Sequence, residues 1–297
     1  MHMVSCYFAR LVARELRLDS KHWPRFLEGT QQSQLSIEKQ NRMPLVDFNR
    51  LLSNALAMSG DTGLGLRFGH YADVLALGEG GFVALAAPDL QRCLHAFADF
   101  SRLSADYMTL DIQVGTHLRF QGREHPGLGA DLRRTQHEVL VLMLQNTIER
   151  VLGRPFVEGR YHFAYPQPEH AQRYGSVFHS PWVFNSVQTG VDIPRKLGRA
   201  PSPFYDQAQW RLGLDRCAAL MRELSGKKRQ LYGHHVLGIL RSQQVELSSI
   251  DWVAEFLNLS SRTLNRRLVG EGLRFRELHN QVRQEWAHHY LTETDLS

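Results

Sequence analysis

Leu247-Ser-Ser-Ile-Asp-Trp-Val-Ala-Glu-Phe-Leu-Asn-Leu-Ser-Ser-Arg-Thr-Leu-Asn-Arg-Arg-Leu-Val-Gly270 is the stretch that decides how this chain is read. Ser248 or Ser249 is placed to cap a short helix, because a hydroxyl there accepts one of the orphan N–H groups of the first turn. Ile250, Val253, Ala254 and Leu257 recur at helical spacing and form the inward face of that helix. The small Ala254 lets a second helix cross closely. Asn258 falls in the turn, where Asn is, after Gly, the residue most tolerant of a left-handed conformation. Ser260 or Ser261 caps the second helix, which Leu264 and Leu268, four residues apart, anchor to the core. Its opposite face presents Arg262, Asn265, Arg266 and Val269. Arg matches the O6/N7 edge of guanine and Asn the N6/N7 edge of adenine, each with ~1–3 kcal/mol of discrimination in a major groove. Thr263 and Arg267 flank that face and suit phosphate oxygens, as does Ser261 at the helix start. An exposed basic helix face also arises from solubility alone, so spacing leaves both readings open.

Working outward, positive charge concentrates around this stretch. Residues 227–276 hold nine Lys/Arg against four Asp/Glu, a stronger asymmetry than the net charge of +5 over the whole chain. A length of 297 residues suggests two domains. The segment Arg199-Ala-Pro-Ser-Pro-Phe204 reads as the exit from the first. Beyond it come an amphipathic connecting helix, 206–224, a polar break at 225–229, and helices only. The expected division is 1–200, a linker at 201–229, and 230–297.

The first part mixes periods. Helical spacing covers 4–18, 44–57, 88–107 and 133–152, the last stopped by Gly153 and Pro155. Alternation over 108–113 and 116–121 around Gly115 predicts an antiparallel hairpin. Further strands are expected at 159–165 and 182–187, with a short helix around 169–174 between them. The fold class expected is therefore an α+β N-terminal domain followed by an all-α helix-turn-helix domain.

Several chemistries find no support in the sequence. The glycines at 60, 63, 65 and 69 follow a helix and match no phosphate-loop spacing, and Gly78-Glu-Gly-Gly81 reads as a loop. His137-Glu138 lacks the second His of a zinc-hydrolase helix, and the pairs His234-His235 and His288-His289 point about 100° apart on a helix. Cys6, Cys93 and Cys217 are odd in number and widely separated, which suits reduced thiols in the cytoplasm. No apolar run approaches the ~20 residues of a membrane span. No catalytic constellation, cofactor or metal site is expected, and the protein is read as a non-enzyme. The aromatic residues Tyr161, Phe163, Tyr165, Tyr174, Phe178, Trp182 and Phe184 read mostly as core, with a subset lining an apolar effector cavity.

The string Ile250–Leu268, followed by Glu271-Gly272, Phe275, Leu278, Val282-Arg283, Ala287 and Tyr290-Leu291, resembles the first half of an AraC/XylS-type DNA-binding domain over about 45 residues. The resemblance implies that Arg262, Asn265 and Arg266 read bases, that 275–291 is a linker helix, and that Arg283 is paired structurally. Asp61-Thr-Gly-Leu-Gly-Leu-Arg-Phe-Gly69, the stretch 77–100, and Tyr161–Phe178 with His162 and His170 are similar to the arabinose-binding-like effector domain of one AraC subgroup, covering roughly 5–200. The similarity implies a transcription regulator, an activator acting with RNA polymerase as a homodimer on double-stranded promoter DNA and answering to a small-molecule effector. The alternative is a small-molecule-binding or dimerisation module whose helix pair makes only protein contacts. In relatives the Ser matching the end of this chain, Thr294-Asp-Leu-Ser297, opens a second helix-turn-helix, so a partial DNA-binding domain is expected.

Overall fold

The computed structural model describes residues 2–124, 128–225, 232–242, 249–257 and 259–293. The chain divides into two units, Met1–Gly213 and Leu214–Ser297. The division falls inside the connecting segment expected at 201–229.

In the first unit β1 (Met3–Ser5) runs into α1 (Cys6–Glu15), where the Ser5 hydroxyl accepts the Tyr7 N–H. Next come α2 (Trp23–Leu27), α3 (Gln34–Lys39) and β2 (Arg42–Pro44), which pairs antiparallel with β1. The helices α4 (Leu45–Ser59), α5 (Leu64–Gly69), α6 (Glu79–Leu85) and α7 (Leu90–Phe100) lead to a hairpin of β3 (Met108–Val114) and β4 (His117–Glu124). Then follow α8 (Ala130–Leu152), β5 (Arg160–His162), β6 (Trp182–Val183) and β7 (Thr189–Pro194). The helix α9 (Gln207–Ser225) spans the division. The second unit contains α10 (Tyr232–Ser242), α11 (Ile250–Phe256), α12 (Ser261–Gly270) and α13 (Phe275–Glu293).

The main sheet has the order β3-β4-β7-β5-β6, antiparallel except for the parallel β5/β6 pair. Its period-2 pattern buries Leu110, Ile112, Leu118, Phe120, Val191 and Ile193 on one face. Against this core lies α8, a helix buried on nearly every side. It carries polar groups into the interior, each with a partner: Gln136 binds Tyr107 and Asn49, His137 binds Thr189, and Gln145 binds Tyr161. The Gly153 backbone, at φ +68°, terminates it in the left-handed conformation that favours glycine.

Several expectations change. The predicted helix 88–107 ends at Phe100, and 101–103 tightens into a 3-10 turn before the hairpin. The predicted helix near 169–174 is likewise a 3-10 turn, Ala171–Ser176. The predicted loop at 78–81 is mostly helix: Gly78 precedes α6, and Gly80 and Gly81 lie within it. The glycines serve packing there. A Cβ on Gly81 would sit 2.0 Å from the Val74 carbonyl oxygen, so only glycine lets α6 approach that segment. The interior strand β7 was not expected at all, since the last strand read from the sequence ends at 187. Gly190 is what the sheet requires, since a Cβ there would lie 1.9 Å from the Phe120 carbonyl oxygen on β4.

The helices expected at 4–18, 44–57, 133–152, 206–224 and 275–291 are present as α1, α4, α8, α9 and α13 with shifted ends. The expectations for Asn258 and for 226–229 and 294–297 lie outside the described residues.

Candidate nucleic-acid interface and small-molecule cavity

Ser249 caps α11, its hydroxyl accepting the Trp252 N–H at 3.2 Å, and Ser260 caps α12 through the Thr263 N–H at 3.2 Å. Of the paired alternatives, the structure selects these two. Val253, Ala254, Leu264 and Leu268 are fully buried and share a core with Val236 and Leu240 of α10 and Leu278 and Val282 of α13. Ala254 thus lies in the core that α11 and α12 share. Ser261 donates its hydroxyl to Asp251, tying α12 to α11. Thr263 is half-buried, with its hydroxyl 2.8 Å from that of Ser260.

The C-terminal end of α12 is held by a second set of contacts. The Arg267 guanidinium lies 4.6 Å from the Tyr232 ring centroid and donates to its hydroxyl. Glu271 accepts the N–H groups of Tyr232 at 2.8 Å and Gly233 at 2.9 Å, capping α10. Arg267 is therefore turned towards α10. Arg262, Asn265, Arg266 and Val269 remain exposed on one face. Among the described residues the first three have no hydrogen-bond or ion-pair partner. Two guanidinium groups and one carboxamide therefore stand with their donors and acceptors open to solvent, on a helix fixed at both ends. Arg283 is exposed on α13.

In the first unit an apolar cavity of about 60 Å³ lies where α1, α4, α5, α7, β3 and α8 converge. Phe8, Phe48, Phe68, Phe97, Met108 and Met143 are among its apolar lining residues, and Ser101, Tyr107 and Gln136 supply its polar side. The Tyr107 hydroxyl donates to Gln136 Oε1 at 2.7 Å, and Gln136 Nε2 donates to Asn49 at 3.0 Å. None of the seven aromatic residues read mostly as core, with a subset lining an effector cavity, lines this one. They stack instead into a solid cluster around Phe163, whose ring lies 5.2–5.7 Å from those of Tyr165, Tyr174, Phe178 and Phe184. Phe8, Phe48 and Phe97 lie in α1, α4 and α7, within the stretches 4–18, 44–57 and 88–107 read as helical. No sequence signal distinguishes a cavity wall from solid core, because the void depends on how six elements meet.

His170 and Glu138 form a buried pair. His170 Nε2 is 2.6 Å from Glu138 Oε1, which also accepts the Tyr174 hydroxyl at 2.8 Å, while His170 Nδ1 is 3.0 Å from the Thr62 hydroxyl. Burial and the neighbouring Glu138 raise the Tyr174 phenol well above its ordinary pKa, so it remains a neutral donor. Burial also pushes the Cys93 thiol up to about 12, which makes it unreactive. Among the described residues no group of three or more His, Cys, Asp or Glu is arranged to hold a metal ion. No described helix is long and apolar enough to cross a membrane.

Comparison with known proteins gives these features a family. The arabinose-binding N-terminal domain of AraC transcription regulators matches residues 24–202, which contain most of the cavity wall and the buried His170–Glu138 pair. The ornithine utilization regulator of Pseudomonas aeruginosa is 27% identical over 256 residues, covering 86% of this chain and 75% of that protein. The transcriptional regulator CdpR, also from Pseudomonas aeruginosa, has a crystal structure similar at a TM-score of 0.54 with 18% identity, covering 98% of this chain and 87% of that one. At that identity the likeness concerns the fold, and it agrees with the mixed α+β first unit and helical second unit described above. The chain belongs to the AraC transcription regulators that carry an arabinose-binding-type N-terminal domain.

Proposed function

We propose that this chain is a sequence-specific DNA-binding regulator in which α11 and α12 form a helix-turn-helix and α12 enters the major groove of promoter DNA. The observation that carries the reading is the face of Arg262, Asn265 and Arg266, unpaired among the described residues, on a helix whose Leu264 and Leu268 are fully buried. Free donors in a fixed frame are what base-edge recognition needs, because side chains already committed to ion pairs would have to give them up on binding. Ser261 and Thr263 at the start of α12 contact phosphate. Arg267 uses one of its five N–H groups on Tyr232 and presents others to the backbone of the duplex. The first unit senses a small molecule and forms a homodimer, and the protein acts in the cytoplasm as an activator with RNA polymerase, without enzymatic activity or cofactor.

The test is a salt titration of binding to the chain's own upstream DNA and to scrambled DNA of equal length. Cognate affinity falls steeply with salt, as expected when phosphate contacts release counterions. Arg266→Ala loses ~1–3 kcal/mol on cognate DNA and almost nothing on scrambled DNA. An equal loss on both would reduce Arg266 to a phosphate contact. Absence of any preference for cognate DNA in the wild type would leave a binding or dimerisation module whose helix pair meets only protein.

A further inference from the structure

The apolar cavity of the first unit differs in its lining from two other clefts of that unit. A cleft of about 330 Å³ is bordered by Glu15, Arg67, His70 and Arg173, and one of about 510 Å³ on the sheet face by Gln113, Arg119, Gln121 and His162. Both mix charged and apolar residues in their walls. Arg67 already bonds Glu15, and both Arg67 and Arg173 bond Asp61. Arg119 and His162 are likewise committed to Asp192. A ligand in either cleft would have to break existing ion pairs to gain new ones.

The cavity wall contains no Asp, Glu, Lys, Arg or His. Its polar side is neutral: the phenol of Tyr107, the amide of Gln136 and the hydroxyl of Ser101, which donates to the Ala98 carbonyl at 2.9 Å. All three residues are buried. A charged ligand placed here would lose its hydration with no counter-ion in return, a cost that apolar contact does not repay. Since one water-sized sphere occupies roughly 10–15 Å³ on this measure, the 60 Å³ void admits about four to six heavy atoms.

We propose that this cavity is the effector site and that it takes a neutral, slender, apolar molecule, or the apolar end of one, with a single hydrogen-bonding head. The inference rests on the proposed reading of the chain as an effector-responsive regulator and specifies the chemistry of its signal. The head exchanges hydrogen bonds with the Tyr107 hydroxyl and Gln136, and the tail lies between the phenylalanines and Met143. The occupant therefore touches α8, the helix whose polar groups bond to neighbours throughout the first unit.

The full chain is titrated with 1-pentanol, with pentane, and with L-lysine as a fully charged counterpart, using ligand-detected NMR and thermal melts. The expected result is saturable binding and a raised melting temperature with 1-pentanol, weaker binding with pentane, and none with lysine. Ala105→Phe, which fills the wall beside Tyr107 and Met108, abolishes pentanol binding while circular dichroism shows the fold retained. Tyr107→Phe, which keeps the shape of the cavity, removes the preference for pentanol over pentane. Saturable lysine binding, or pentanol binding unchanged in Ala105→Phe, overturns the assignment. If Ala105→Phe does not fold, the Tyr107→Phe preference decides alone, and an unchanged preference overturns it. These outcomes leave DNA recognition untouched. The regulator reading fails separately, if the unliganded wild-type chain shows no preference for cognate DNA.

Discussion

Replacing Glu138 by Ala isolates the buried network that holds α8 to the segment after β5. Glu138 is fully buried, and its Oε1 accepts from His170 at 2.6 Å and from Tyr174 at 2.8 Å. Each buried donor stranded by the truncation costs ~1–3 kcal/mol, or ~2–6 for the two. Two effects pull the value down. His170 keeps Thr62 at 3.0 Å and Tyr174 keeps Tyr165 at 2.9 Å. Glu138 Oε2, buried with no hydrogen-bond partner, also no longer has to be desolvated. The expected loss is about 3 kcal/mol, or roughly 6–12 °C in melting temperature for a unit of this size. Glu138→Gln keeps an acceptor in place and costs less than half as much. Urea unfolding with two probes measures this: Trp182, whose ring lies 6.0 Å from that of Tyr174, reports the first unit, and Trp252 the second. The transition of the first unit moves and that of the second does not. A loss below about 1 kcal/mol, or equal losses for Ala and Gln, would refute the view that Glu138 satisfies two buried donors.

Gly65→Ala destabilises the first unit, because its Cβ would lie 2.4 Å from Glu138 Oε2 and 2.7 Å from the Thr135 carbonyl; unchanged melting would show that α5 moves freely from α8. Burial opposes ionisation of Asp192, but hydrogen bonds from His162 and Arg119 outweigh it and hold the carboxyl well below the usual carboxylate range. A depressed folded-state pKa contributes stability present above the unfolded value, about 3.9, and lost as pH falls below it, so Asp192→Asn flattens the acid side of the stability profile below about pH 4. An acid limb identical to wild type would remove Asp192 from that role. Glu271→Ala strips the cap from α10 and costs the second unit ~0.5–2 kcal/mol, read from the Trp252 transition, with no effect on the first.

Legibility varied with the distance over which each feature is encoded. The second unit was read with its caps and inward residues because period 3.6, a serine before each helix, and a small residue at the crossing all lie within about twenty positions. Asp89 caps α7 by accepting the Arg92 N–H at 2.8 Å and Pro44 precedes the first turn of α4, contacts that are equally local. Features set by the approach of distant backbones were misread or missed. Gly81 was read as loop and the strand around Gly190 was missed, yet each glycine is required by a carbonyl oxygen contributed by another segment, Val74 or Phe120. Arg267 shares its composition with Arg266, and only Tyr232, thirty-five residues earlier, separates their surroundings.

The sequence by itself determined the helix pair at 249–270, the triad Arg262, Asn265 and Arg266 on its free face, and the α+β character of the first unit. These rest on side-chain periodicity and capping, which are local properties of the chain. Tertiary structure alone decided that β7 lies inside the sheet, that His170 and Glu138 meet, that Arg267 faces α10, and that the apolar void is walled by the helices and β3 rather than by the aromatic run after β5. Each of these depends on which surfaces meet across many tens of residues, and apolar residue types are the same whether they close a core completely or leave room for a ligand.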